Sequence, residues 1–119
     1  MSTLKADTIQ NTSGGAATLT KQSAAKVWGL TTSAAAVTAS FNLSSGTDHG
    51  TGDYSYSLSN AFDSSNFSMN ANSSGTGAGK ICTINTGRKT ASVVAIELEN
   101  HDGSANDQNQ ELAAHGDLA

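Results

Sequence analysis

The chain has 119 residues, of which 36% are apolar and 13% are charged, and its formal net charge is −4. This length fits one domain. A weakly acidic chain without a basic patch is not expected to bind nucleic acid. No apolar run approaches the ~20 residues of a membrane-spanning helix, so we expect no membrane insertion. An apolar fraction of 36% predicts a small core, and small cores need additional stabilisation. The single cysteine excludes an internal disulfide. We therefore expect the domain to be stabilised by oligomerisation.

The first 22 residues are polar and contain few large apolar side chains. Leu4, Ile9 and Leu19 are widely spaced among Thr, Ser, Gly, Ala and Asn. Such a segment suits an extended assembly arm that orders by pairing with a partner. Leu4, Ile9 and Leu19 are then its anchors, and Lys5 and Lys21 meet the acidic C-terminal region of a neighbour. The alternative is an ordinary edge strand with a turn at residues 13–15.

Six later segments carry strand patterns. Most of them alternate apolar and polar residues, the period of a strand with one buried face. In residues 92–99, for example, Val94, Ile96 and Leu98 fall on one face. Residues 24–30 fit a strand or one helical turn, and their valine and tryptophan favour the strand. The predicted strands cover residues 24–30, 37–43, 54–58, 67–71, 81–84 and 92–99.

Gly-rich polar segments separate these strands and predict turns. Residues 44–53 and 73–79 are predicted loops, and residues 85–88 are short enough for a hairpin connection. Strands that recur every 10–15 residues between such turns are typical of sandwich folds. The sequence therefore predicts an all-β fold: an oligomeric antiparallel β-sandwich or jelly-roll-like domain with an extended N-terminal arm.

The chain turns polar after Asn100, where residues 100–107 form a third predicted loop. Asn106 or Asp107 is able to cap a short helix that runs to His115. A disordered or docked tail is the alternative for this segment. The chain thus divides into an assembly arm (1–22), a β-sandwich domain (23–100) and a polar C-terminal tail or short helix (101–119).

The titratable side chains do not predict an enzyme. His49, His101 and His115 lie among glycines and aspartates, but no nucleophile elbow or oxyanion loop accompanies them. The oxygen-bearing side chains of residues 100–107 do not have the spacing of a calcium-binding loop. We therefore expect no catalytic residue, no metal and no cofactor.

Five of the aromatic residues allow two interpretations. They could form a sugar-stacking platform, or they could pack in the core or at a subunit interface. Packing is favoured because both tyrosines lie on the apolar face of their strand. Cys82, in an apolar strand, is expected to be a small core residue. The five aromatics are Trp28, Tyr54, Tyr56, Phe62 and Phe67.

Several segments together resemble a known family. They are residues 2–15 (STLKADTIQNTSGG), 17–28 (ATLTKQSAAKVW), 40–45 (SFNLSS), 48–54 (DHGTGDY) and 60–68 (NAFDSSNFS). In these segments the chain resembles a family of tailed-bacteriophage virion proteins of the marine phage type, often labelled tail fibre proteins. The resemblance covers roughly the first 70 residues.

The resemblance implies a virion structural protein, made in the host cytoplasm and carried on the tail or capsid surface. It implies a homotrimer whose N-terminal segment attaches to other virion proteins. The β-domain would project outward and contact a host-cell surface glycan or protein. A purely structural role as a capsid decoration, head-fibre or tail accessory protein is the alternative.

An attachment role assigns host contact to the predicted loops, because loops display side chains on a rigid scaffold. The candidate receptor-contact residues are Asp48, His49, Asp53, Thr76, Asp102 and Asn106.

Overall fold

The computed structural model describes residues 12–14, 25–75 and 80–116, which contain eight strands. All strand pairs are antiparallel. No helix in this described part is long and apolar enough to cross a membrane. The strands are β1 (Val27–Thr31), β2 (Val37–Phe41), β3 (Leu43–Gly50), β4 (Asp53–Leu58), β5 (Ser68–Ser73), β6 (Lys80–Ile84), β7 (Val93–Asn100) and β8 (Gln110–His115).

The strands form two four-stranded sheets. The first sheet has the order β2–β1–β8–β5, and the second has the order β3–β4–β7–β6. Inward side chains of both sheets make one apolar cluster, in which Val27 and Ala114 come from the first sheet and Tyr54 and Ile96 from the second. The prediction of an all-β fold with antiparallel sheets is confirmed.

A buried polar contact joins the two sheets. Gln110 of β8 and Tyr56 of β4 are both 0% exposed, and the Tyr56 hydroxyl donates to Gln110 Oε1 at 2.5 Å. Thr31 Oγ1 of β1 donates to the same oxygen at 2.5 Å. The Gln110 amide donates to the Gln108 carbonyl. A polar group in the core is tolerated only when such partners satisfy it, so this contact fixes how the two sheets face each other.

Several predicted strands are confirmed with small shifts in their bounds. In β4 the tyrosines at 54 and 56 point inward, and in β7 the same holds for Val94, Ile96 and Leu98. The favoured strand at residues 24–30 is β1. The segments 67–71 and 81–84 correspond to β5 and β6, and β6 pairs with β7 as the predicted hairpin requires.

The single strand predicted over residues 37–43 is wrong. Asn42 has a φ of 66°, and this left-handed turn separates β2 of the first sheet from β3 of the second. Asparagine adopts this conformation more readily than most residues. Its side-chain Oδ1 accepts from the Asn60 N–H at 2.7 Å, which holds the corner. Phe41 is consequently 50% exposed, whereas Leu43 is buried.

The loop predicted over residues 44–53 is mostly strand. β3 runs to Gly50 and pairs with β4, which leaves only residues 51 and 52 between the two strands. β3 is an edge strand whose outward side chains face solvent, so its polar composition is compatible with pairing. Polar composition therefore does not reveal β3, which forms because its backbone pairs with that of β4.

The polar tail or short helix predicted over residues 101–119 is wrong for residues 110–115. Residues 110–115 are β8, which lies between β1 and β5 in the first sheet. Gln110, Leu112 and Ala114 point inward with the period of a strand. The described β-domain therefore extends past residue 100 to residue 116. Two of the three inward residues are a glutamine and an alanine, so the sequence of this strand shows little alternation between apolar and polar residues.

The buried contact between the sheets yields a stability prediction. Tyr56→Phe leaves Gln110 Oε1 with Thr31 as donor, so we expect a loss of about 1 kcal/mol of unfolding free energy. Gln110→Leu leaves the buried Tyr56 hydroxyl without its acceptor, whereas the Thr31 hydroxyl keeps the backbone carbonyl of residue 110 at 3.4 Å, so we expect a loss of about 1–3 kcal/mol. Urea denaturation of both single variants and the double variant measures these losses. A Gln110→Leu protein as stable as wild type would contradict the role of this contact.

Candidate functional site

Four strand connections gather at one end of the molecule, which we call the loop end. They are residues 32–36, 51–52 and 101–109 and, of the β5–β6 connection, the described residues 74 and 75. Backbone and side-chain hydrogen bonds join them. The Ser33 N–H donates to Asn109 Oδ1 at 3.0 Å, and the Ser74 N–H donates to the Asn109 carbonyl at 2.9 Å. The described chain enters β1 at the opposite end, because β1 runs toward the loop end.

Asp107 is the centre of this network. Its Oδ1 accepts from the Gly52 N–H at 2.8 Å and from the Tyr54 hydroxyl at 2.6 Å. The same hydroxyl lies 2.9 Å from the Ser33 carbonyl oxygen. One carboxylate thereby connects the β7–β8 connection with the β3–β4 turn and, through Tyr54, with the β1–β2 connection.

The pKa values of both partners reflect this contact. The hydrogen bond from Tyr54 and then the one from the Gly52 N–H lower the pKa of Asp107, because both stabilise the carboxylate. Burial raises the pKa of Tyr54, and the bond to Asp107 raises it further. Asp107 is therefore a carboxylate and Tyr54 a neutral donor at neutral pH.

Gly52 is required at the turn beside Asp107. Its φ is 76°, a backbone conformation that residues other than glycine rarely adopt. A Cβ atom there would also lie 2.3 Å from the Leu98 carbonyl oxygen. Composition predicts a Gly-rich turn here, but it does not show that the Gly52 N–H donates to a carboxylate 55 residues away.

A polar groove of about 330 Å³ opens at the loop end. Serine hydroxyls and amide side chains line it, so it offers donors and acceptors and few apolar surfaces. It is lined by Ser33, Ser74, Gly75, Asp107, Gln108 and Asn109.

Two of the predicted contact residues lie on β3 and not in a loop. Asp48 is exposed, and its Oδ1 accepts from the Gly50 N–H at 2.9 Å. His49 is exposed, and its Nε2 lies 2.8 Å from Ser55 Oγ. Both residues flank the β3–β4 turn, so they lie near the loop end without belonging to its network.

The other described contact residues each have a hydrogen-bond or ion-pair partner, and Asp53 is the first residue of β4 and not a loop residue. Asp53 forms an ion pair with Arg88, with Nη2 and Oδ2 2.9 Å apart. Asp102 accepts from the Ser104 hydroxyl at 2.6 Å, and this bond and the Ser104 N–H lower the pKa of Asp102. Asn106 Oδ1 accepts from Lys80 Nζ at 3.2 Å. Of these three, Asp102 and Asn106 lie in the loop-end connection 101–109.

The remaining candidate residues lie outside the described residues. They are Thr76 and the arm residues Leu4, Lys5, Ile9, Leu19 and Lys21.

The histidines do not form one cluster. His49 and His101 lie toward the loop end, whereas His115 ends β8 at the other end. Among the described residues, no group of three or more His, Cys, Asp and Glu side chains has a geometry that could hold a metal ion.

The aromatic residues divide into core and surface. Tyr54, Tyr56, Phe62 and Phe67 are buried, whereas Trp28 is 43% exposed. Packing in the core is therefore confirmed for four of the five, and they cannot form a stacking platform. Cys82 is half-buried against the core, and burial raises its pKa to about 11, which keeps the thiol protonated.

Trp28 belongs to an exposed apolar patch on the outer side of the first sheet, which we call the apolar face. Trp28 and Leu30 of β1 are each 43% exposed and Phe41 of β2 is 50% exposed. The strand register places Trp28 between Phe41 and Ala113. The apolar face consists of Trp28, Leu30, Ala39, Phe41 and Ala113.

In comparisons with protein-family models, curated proteins and solved structures, the chain matches none.

Removing the Asp107 carboxylate is expected to loosen the loop end. Asp107→Ala removes the acceptor of the Gly52 N–H, and because residue 107 is exposed, water can replace the carboxylate, so we expect a loss of about 1 kcal/mol of unfolding free energy. Asp102→Ala is the control, because the bonds of Asp102 go to nearby Ser104. Urea denaturation measures both variants, and an equal loss in the two would contradict the central position of Asp107.

The lowered pKa of Asp107 also predicts a pH dependence. A carboxyl whose folded pKa lies below its ordinary value of 3.8 stabilises the fold fully above that value. The contribution is lost as the pH falls through the folded pKa. We expect the stability difference between wild type and Asp107→Ala to shrink on acidification from pH 6 to about pH 3. A difference that stays constant over this range would count against the bond to Tyr54.

Proposed function

We propose that the chain is a bacteriophage virion protein that acts in host attachment as a short trimeric tail-fibre or receptor-binding component. One structural observation supports this function most directly. The loop end and the end at which the N-terminal segment enters β1 lie at opposite ends of the two sheets. An attachment protein needs this arrangement, because it is fixed to the virion at one end and contacts the host at the other.

In this proposal the two sheets form a jelly-roll-like sandwich. β1 is the neighbour of β8 in one sheet and β4 is the neighbour of β7 in the other, and these pairings favour that topology. The loop-end network supports host contact because it holds four connections in one arrangement, and a preorganised surface loses less entropy on binding. Its polar groove suits a glycan or a polar protein surface.

The N-terminal 22 residues are the proposed assembly arm, so their removal is the first test. We expect the full-length chain of 12.0 kDa to show about three times that mass by light scattering. The version that lacks residues 1–22 should dissociate at a concentration at which the full chain stays assembled. A folded monomer for both versions would overturn the trimer.

Host contact is tested by blocking the loop end with a bulky charged side chain. Ser33 and Thr51 are exposed there, whereas Ser65 is exposed in the β4–β5 connection at the other end. We expect Ser33→Arg and Thr51→Arg to weaken binding of labelled protein to host cells about tenfold or more. Ser65→Arg is the matched control and should bind like wild type.

The same experiment separates attachment from a structural role. Equal binding by all three variants would contradict host contact through the loop end. No binding by wild type, together with a copy number in purified virions that follows capsid symmetry, would favour the capsid decoration or accessory role.

A further inference from the structure

The apolar face cannot contribute to the core of its own domain. Along β1, Val27, Gly29 and Thr31 point inward, so Trp28 and Leu30 point away from the second sheet. Phe41 lies opposite Trp28 on the edge strand β2, and Ala39 lies opposite Leu30. Together they make a contiguous apolar surface of the kind that marks a contact site.

The outer side of the second sheet differs in character. It carries Asp53, Glu97 and Glu99, and Arg88 pairs with Asp53 across it. On the strands between Trp28 and the far edge of the first sheet, by contrast, the outward-facing carboxylate is Glu111, and His115 lies on the same face of β8. Depletion of charge is characteristic of interface cores, so the two outer surfaces suit different surroundings: solvent for the second sheet and another protein for the first.

The polar half of the first sheet complements itself. A shallow groove of about 270 Å³ runs beside Trp28, and Asn70, Asn72 and Glu111 line it. The register places Asn72 directly opposite Glu111. Asparagine amides both donate and accept, so the amides of one copy offer donors to the Glu111 carboxylate of another.

The size of the face indicates how strong such a contact is. Four strands about 4.8 Å apart, each five or six residues long at about 3.3 Å per residue, cover roughly 350 Å² in projection. A standard interface buries about 800 Å² per partner. Contacts below that size are weak and reversible, so association through this face depends on protein concentration.

We propose that the apolar face is the self-association surface of this protein and that its occupant is a second copy of the chain. This inference rests on the proposed self-assembly and names the surface that carries it. Trp28 lies at its centre, flanked by Phe41 and Leu30, and the groove amides and Glu111 form its polar side.

The chain contains one tryptophan, so its fluorescence reports on this face alone. We expect a blue-shifted Trp28 emission at high concentration that moves to the red on dilution, in step with a fall in native mass. Leu30→Thr and Phe41→Thr keep this reporter and a strand-forming residue. Each should raise the dissociation constant about tenfold or more, because truncating large side chains at an interface centre weakens it by that order.

Ile81→Thr is the matched control. Ile81 is also 43% exposed, but it lies on the outer side of the second sheet, opposite Glu99. Its variant should assemble like wild type, with the same dilution curve for mass and emission.

Three outcomes would overturn the inference in distinguishable ways. Assembly that survives Leu30→Thr and Phe41→Thr but not removal of residues 1–22 would leave the proposed trimer and reject the face. A shielded Trp28 that ignores dilution and becomes exposed on that truncation would show that the chain's own N-terminal segment covers it. A monomer with exposed Trp28 at every concentration would reject both the face and the trimer.

Discussion

The structure depends on one buried hydrogen-bonded contact between its two sheets. Gln110 Oε1 in the first sheet accepts hydrogen bonds from the Tyr56 hydroxyl of the second sheet and from the Thr31 hydroxyl of the first. A polar side chain with no exposure must keep these partners, because an unsatisfied amide in the core costs more than most apolar contacts contribute. The contact therefore permits one relative position of the sheets, and the thin apolar cluster packs around it.

That relative position determines what each surface can do. With the sheets fixed face to face, Trp28, Leu30 and Phe41 have no place in the core and form a patch on the outside. The second sheet presents carboxylates and Arg88 instead. The connections at the loop end come close enough for Asp107 to bind both Gly52 and Tyr54. The proposed assembly surface and the proposed contact surface thus follow from the same core geometry.

The sequence showed the strands with strong alternation but not the residues that organise the candidate site. Composition favours Asp48, His49, Asp102 and Asn106 as contact residues because they lie in Gly-rich polar segments, but composition cannot distinguish a solvated side chain from a central one. From the sequence alone, Asp107 is only a possible helix cap. Its actual partners are 53 and 55 residues away, a pairing that only the tertiary structure creates.

By itself the sequence determined the all-β class and the inward faces of β4 and β7, because alternation of large apolar residues forces one face into the core. The tertiary structure decided the corner at Asn42, the strand identity of β3 and β8, and the exposure of Phe41. Their sequences are weakly apolar or polar, so strand pairing came from neighbours and not from local preference. Which sheet a strand joins, and hence which side chains remain outside, depends on contacts between residues far apart in the chain.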